Sequence, residues 1–263
     1  MSAPPAPRSQ HMVSGLAVTR RRPDNPRATV LLVHGAMDRA ASFGRTMRRL
    51  GHHDVIAYDR RGYAGSIGAG VARDLRAHVE DLCEVAHWAE PENLVVVGHS
   101  LGGLLALNAG AGPLDGLPLK ALGAFEAPMP WLESDDEGSG EVTLAVARRE
   151  GPAAAAQFFY RAMVGDAVWQ RLRDADRHDR LAEGPALVGE LAAARQADAA
   201  VDFAALRAAA HVARGELSSW RLRAAAAAMA EMAGSPIEEV AGAGHGAHLS
   251  HPDEFSRWVS GLS

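Results

Sequence analysis

Acyl transfer needs a hydroxyl or thiol nucleophile, a base to deprotonate it and donors for the developing oxyanion, and the chain places one serine for that work. In Val95-Val96-Val97-Gly98-His99-Ser100-Leu101-Gly102-Gly103, a Gly-x-Ser-x-Gly pentapeptide follows a β-branched run and precedes a helical stretch, the setting of a nucleophile elbow. A serine on so tight a turn requires small neighbours two residues away on each side, because side chains there would collide with adjacent elements. The helix starting at the turn aims N–H groups at the reacting centre, and the Leu101 N–H is one candidate oxyanion donor. A second donor is expected from a loop after a neighbouring strand. In Leu31-Leu32-Val33-His34-Gly35-Ala36-Met37 the Ala36 N–H fills that role. His34 reads as a histidine pinned to its turn by hydrogen bonds, and Met37 as pocket floor or core.

The base must sit on a loop free to approach the serine. His245, in Ala241-Gly242-Ala243-Gly244-His245-Gly246-Ala247-His248-Leu249, has glycines that permit this and is the candidate. His248 and His251 follow at intervals of three, which invites a metal reading. Neither His-Glu-x-x-His nor a cysteine pair accompanies them, so His248 is expected to be structural or pocket-lining, and His99 to pack or line the pocket. No metal is expected. A nucleotide cofactor is not expected either, since both a Walker lysine and a dinucleotide fingerprint are missing.

These residues must be held by elements. Short apolar runs at residues 28–33, 54–58, 94–97, 119–125, 210–213 and 237–240 read as buried parallel strands, with an antiparallel lead-in near residues 15–20. Amphipathic stretches near residues 39–50, 71–88, 101–109, 220–232 and 252–259 read as helices between them. From Trp131 to about Leu206 only helical composition appears (residues 142–149, 153–163, 167–173 and 185–194), opened by Ala127-Pro128-Met129-Pro130-Trp131, whose prolines bar both helix and ladder. This predicts a helical insertion over the strand ends. The acidic run Glu133-Ser134-Asp135-Asp136-Glu137 within it reads as a solvated loop.

The His34-Gly35 turn, the loop Asp59-Arg60-Arg61-Gly62-Tyr63-Ala64-Gly65-Ser66, the elbow and the late His245, in this order, resemble the α/β-hydrolase superfamily. The likeness covers the chain before Pro130 and after about Leu206; Ala64 stands where that family often has glycine. The resemblance implies an α/β fold with a mostly parallel central sheet flanked by helices, residues 1–130 and 206–263 forming the core and 131–205 a helical cap. It also implies a carboxylate partner for His245 in the loop after the penultimate strand, as Gly-x-x-Asp. Here that loop reads Gly215-Glu216-Leu217-Ser218-Ser219, with serines at the expected aspartate positions. Two substitutes remain open: Glu216, in the right loop but immediately after the glycine, and Glu126, which ends an earlier strand, where some relatives carry the acid. Glu126 is preferred, because a carboxylate at a buried strand end needs a partner. Asp59 is assigned no chemistry.

The expected activity is a serine hydrolase acting on an ester, lactone or thioester of a small apolar molecule, through a Ser100-His245-Glu126 triad and an acyl-enzyme. Alternatives are a non-catalytic ligand-binding protein on the same scaffold, a cofactor-free perhydrolase, and a C–C bond hydrolase. Chemistry with an aspartate nucleophile is disfavoured because position 100 is serine. Trp131, Phe158, Phe159, Tyr160 and Trp169 suggest an apolar pocket in the cap. A net charge of −5 excludes a general nucleic-acid binder, which needs a basic face. No apolar run is long enough for a membrane span. With Cys83 as the single cysteine and no charged and apolar leader at the Pro-rich start, a cytoplasmic location is expected. The oligomeric state is left open.

Overall fold

The computed structural model describes residues 8–132 and 138–263; the acidic run 133–137 lies outside them. An eight-stranded sheet forms the centre. Its strands are β1 (Arg8–Val13), β2 (Leu16–Arg21), β3 (Thr29–Val33), β4 (Asp54–Tyr58), β5 (Leu94–His99), β6 (Leu119–Phe125), β7 (Ala209–Gly215) and β8 (Ile237–Val240). The spatial order is β1-β2-β4-β3-β5-β6-β7-β8. The β1–β2 and β2–β4 pairs are antiparallel and the rest parallel. The central strands are buried along their whole length, and alternate residues serve opposite faces. Val30, Leu32, Val95 and Val97 pack on one side with α1 (Gly44–Arg49), α10 (Ala247–Ser250) and α11 (Pro252–Ser260). Leu31, Val33 and Val96 pack on the other with α2 (Leu75–Trp88), α3 (Leu101–Gly110) and α9 (Trp220–Ala233). Period-2 alternation with both faces covered is why these runs read as continuous apolar segments.

Between β6 and β7 come α4 (Ser139–Glu150), α5 (Pro152–Val164), α6 (Asp166–Arg171), α7 (Asp174–Ala182) and α8 (Gly184–Ala194). This is the helical cap. Its inner seam is a separate apolar cluster in which Phe159, Ala156, Ala186 and Leu187 of the cap meet Met37 and Tyr63 of the sheet portion.

The structure corrects several element expectations. The lead-in is a full hairpin, β1 with β2, because Ser14 and Gly15, both at positive φ, make its two-residue turn. The helix expected over residues 39–50 is a short 3-10 turn, Ala40–Phe43, followed by α1. The helix expected from residue 71 starts at Leu75, where the Asp74 carboxylate accepts the Ala77 N–H at 2.9 Å. Helix α7 was not foreseen: eight of its nine residues are polar or small, so no apolar stripe marks it.

Candidate active site

Strand β5 ends at His99, and Ser100 turns the chain into α3 at φ 55° and ψ −128°. A non-glycine residue at such angles carries strain that close packing must hold in place. The packing is explicit. A Cβ on Gly98 would lie 2.0 Å from the Gly102 carbonyl oxygen, and one on Gly102 2.1 Å from that of Val33. Both glycines of the pentapeptide are therefore steric requirements, as its spacing implies. Gly35 brings the other loop in: its absent Cβ would stand 2.8 Å from the Ser100 Cβ. Leu101 is the first residue of α3, so its N–H is one of those a helix leaves without an intrahelical acceptor.

The parallel register sets His99 opposite Phe125, so Ser100 and Glu126 leave neighbouring strands side by side. Glu126 is also at positive φ, 48°, and its side chain is fully buried. One carboxylate oxygen accepts the His245 Nδ1–H at 2.6 Å. The other accepts the Gly215 N–H at 2.7 Å and the Ser218 hydroxyl. Burial pushes the Glu126 carboxyl upward, but the bonds from His245, Ser218 and Gly215 outweigh it and hold it below the ordinary range. Because Glu126 occupies Nδ1, Nε2 is the His245 nitrogen left to take a proton. The second candidate acid, Glu216, points elsewhere and accepts the Gly242 N–H at 2.8 Å. Ser218 is a residue that sequence reasoning missed in its role. The signal was present, a hydroxyl where the family resemblance led to the expectation of an aspartate, and here it donates to Glu126.

The alpha/beta hydrolase family profile matches residues 30–258. The chain belongs to the alpha/beta hydrolase family. No curated protein matches the sequence. Solved structures that resemble this hydrolase include a bromoperoxidase from Bacillus anthracis, at 18% identity and a TM-score of 0.76, with 97% of this chain and 99% of that one covered. An E-2-(acetamidomethylene)succinate hydrolase aligns at 19% identity and 0.70, covering 97% and 99%. An esterase from Thermogutta terrifontis aligns at 19% and 0.68, covering 98% and 99%. At such identities the likeness is one of fold.

The loop of this hydrolase that bears Ala36 is held as firmly as Glu126. The His34 ring receives the Arg60 N–H on Nε2 at 2.9 Å, so its Nδ1 carries the proton and donates to the Gly35 carbonyl at 2.8 Å. Burial, reinforced by Arg60, lowers His34 to about 3, and the ring stays neutral as a strut. Met37 sits at φ 53° and packs in the cap seam. Asp59 accepts the backbone N–H groups of Ala40 and Gly65 at 2.8 and 3.0 Å, which ties its loop together.

Three imidazole rings, those of His245, His99 and His248, pack against one another in a tilted row. His99 lies 4.6 Å from the His245 ring and 4.2 Å from that of His248, centroid to centroid. Its Nε2 donates to the His245 carbonyl at 2.7 Å, which anchors the loop bearing His245. His248 Nε2 is 3.3 Å from an Asp38 carboxylate oxygen. Asp38, His99 and His248 together bring atoms able to ligate a metal within 4.8 Å of one another. His251 is not among them; it bonds Ser250 at the surface, 2.8 Å away.

One further serine–histidine contact, His53 Nε2 to Ser260 Oγ at 3.3 Å, lacks the parts for catalysis. His53 immediately precedes β4, at the opposite end of the parallel strands, and its buried Nδ1 has no hydrogen-bond partner to orient the ring. The cap aromatics divide. Phe159 and Trp169 are buried in the cap seam and cap interior, Tyr160 packs beside them, Trp131 lies against the main core, and Phe158 faces outward.

Proposed function

We propose that the protein hydrolyses an ester, lactone or thioester of a small, largely apolar molecule, with Ser100 as nucleophile, His245 as base and Glu126 as the orienting acid. The observation that carries this reading is the 2.6 Å bond from His245 Nδ1 to a buried Glu126 on the strand beside the strained Ser100 turn. In the first step the Ser100 Oγ bonds the acyl carbon while its proton passes to His245 Nε2. The Ala36 and Leu101 N–H groups receive the oxyanion. Collapse expels the alcohol, enol or thiol, which takes the proton from His245. Water then gives a proton to His245 and its oxygen to the acyl carbon, releasing the acid and restoring Ser100. Glu126 stays ionised throughout and stabilises the imidazolium. The carboxylesterase-like reading is in keeping with the esterase among the structures of the same fold.

The test is covalent. A fluorophosphonate probe should label the wild type stoichiometrically, with the adduct on Ser100 by peptide mass mapping and none in Ser100→Ala. A folded wild type that stays unlabelled and cleaves no short or long acyl ester is a ligand-binding member of the family, and the proposal fails.

A further inference from the structure

The loop that bears Ala36 is bonded to the cap through its carbonyl groups. Arg60, fully buried, donates from Nε to the His34 carbonyl at 3.0 Å and from Nη2 to the Gly35 carbonyl at 2.9 Å. Its remaining Nη1 reaches Glu190 of α8 at 2.7 Å, an ion pair with both side chains wholly buried. Glu190 also accepts the Tyr63 hydroxyl at 2.5 Å, and that hydroxyl meets the Met37 backbone. A second strap is direct: Arg180 of α7 donates to the Met37 carbonyl at 2.8 Å, and is itself set by Glu183 at 3.2 Å and by stacking on Tyr160.

Each peptide carbonyl so held fixes the plane of the amide that follows it. The Gly35 carbonyl and the Ala36 N–H belong to one planar peptide unit, so the Arg60 Nη2–H on that oxygen, with Nε on the preceding His34 carbonyl, sets where the N–H points. A loop with Met37 at positive φ needs such external bonds to keep its shape. Nothing in a lid that only covered a pocket would require two arginines on the backbone beneath it.

We infer that Arg60, Glu190 and Arg180 are positioning residues through which the docked cap sets the oxyanion donor at Ala36, so that the cap acts on transition-state stabilisation and not on substrate entry alone. This rests on the serine-hydrolase reading above. An aligned donor is worth about 10²–10³-fold in kcat, so a displaced one should lose about tenfold or more.

The experiment uses p-nitrophenyl acetate as substrate and an aryl trifluoromethyl ketone, whose serine adduct bears the oxyanion, as inhibitor. The variants are Arg180→Ala, Arg180→Lys and the paired Arg60→Met with Glu190→Met, which removes both buried charges together and so avoids stranding either. Circular dichroism and melting curves check folding. Arg180→Ala should lower kcat and ketone affinity in parallel by about tenfold, leave KM within about twofold, and regain most of the loss as Arg180→Lys, which can still donate to the carbonyl. The paired variant should show the same parallel loss. Folded variants with wild-type kcat and ketone affinity, or with only KM raised, would overturn the clamp while leaving the hydrolase reading intact. A wild type that neither turns over the ester nor takes the fluorophosphonate overturns both.

Discussion

Glu126 shows how much a single carboxylate's surroundings decide. Three donors converge on its two oxygens, and one of them, Ser218, stands where the family resemblance led to the expectation of an aspartate. Glu126→Gln keeps the shape but presents an amide N–H₂ or a neutral oxygen to His245, so the imidazolium loses its counter-charge and the tautomer its lock. We expect kcat on p-nitrophenyl acetate to fall by about 10³-fold or more, with KM little changed. Ser218→Ala removes one neutral donor to an ionised acceptor and should cost about tenfold. Glu216→Gln, whose carboxylate binds the Gly242 N–H instead, should retain near wild-type kcat; the reverse ranking would move the acid to Glu216. Acid titration gives an independent check. The folded Glu126 carboxyl lies below its usual 4.5, so its contribution to stability is complete above about pH 4.5 and is lost as pH falls through the folded value. The melting-temperature gap between wild type and Glu126→Gln should therefore narrow below pH 4.5. The tight turn at Ser100 and its steric need for Gly98 and Gly102 were legible in the sequence, because they belong to a local pattern. The choice between Glu126 and Glu216 was not, since it depends on which strand end lies beside the loop of His245, a long-range fact that no local spacing encodes.

At the scale of elements, backbone shape separates two kinds of glycine. Gly102 lies in the first turn of α3, where its missing Cβ leaves room for the Val33 carbonyl at 2.1 Å, so Gly102→Ala must push α3 off β3 and with it the Ser100 turn. Gly234 ends α9 at φ 61° with nothing within 4 Å of a built Cβ. Gly234→Ala should cost about 1 kcal/mol, as an alanine forced into the left-handed region does, and leave activity alone. Urea unfolding and fluorophosphonate labelling of the two variants check this: Gly102→Ala should lose labelling or fail to fold, while Gly234→Ala shifts only the midpoint. The strands β4, β6 and β8 could be read to the residue: Asp54 opens the first and Lys120 interrupts the second, but both are otherwise mostly buried apolar runs, and the edge strand β8, with Glu238 and Glu239 exposed, is bounded by Pro236 and by the turn at Gly242. Helix α7 could not. Its polar sequence is organised by Arg180, whose guanidinium is held by Glu183, Met37 and Tyr160 rather than by an apolar stripe. The β1–β2 hairpin was half legible for a related reason: β1 is exposed for five of its six residues and shows no alternation.

Among the described residues, burial lowers four imidazoles toward the neutral form. His34 is lowered to about 3 by burial and by Arg60. His78 and His99 are held well below 6.5, both first by burial, then by Arg60 and by His248 respectively. His53 is lowered by burial as well. These rings serve as struts: His34 in the loop of Ala36, His78 beside the Arg60–Glu190 pair at 3.7 Å from Glu190, and His99 bonded to the His245 carbonyl. The sign of the consequence is fixed by which state binds more protons. Below pH 6.5 the unfolded chain protonates these histidines and the folded chain does not, so stability must decline as pH falls from 6.5 toward 3 and must gain nothing from them above 6.5. Each fully depressed group contributes at most about 1.4 kcal/mol per pH unit in that window. The carboxylates Glu126 and Asp38, both lowered against the effect of their burial, the first chiefly by the His245 bond and the second by His248, act only below about pH 4.5. The range from pH 6.5 to 5 is therefore governed by the histidines, opposed by Glu183, whose carboxyl burial raises above its ordinary value. Urea midpoints measured at pH 7.0, 6.0 and 5.0 and constant ionic strength should fall slightly from pH 7.0 to 6.0 and more steeply from 6.0 to 5.0, with net proton uptake on unfolding at pH 5.0 in weak buffer. Equal midpoints at pH 6.0 and 5.0, or unfolding without proton uptake, would show that the rings are charged in the folded state. In that case the tautomers that set the Gly35 carbonyl and the loop of His245 would have to be reassigned.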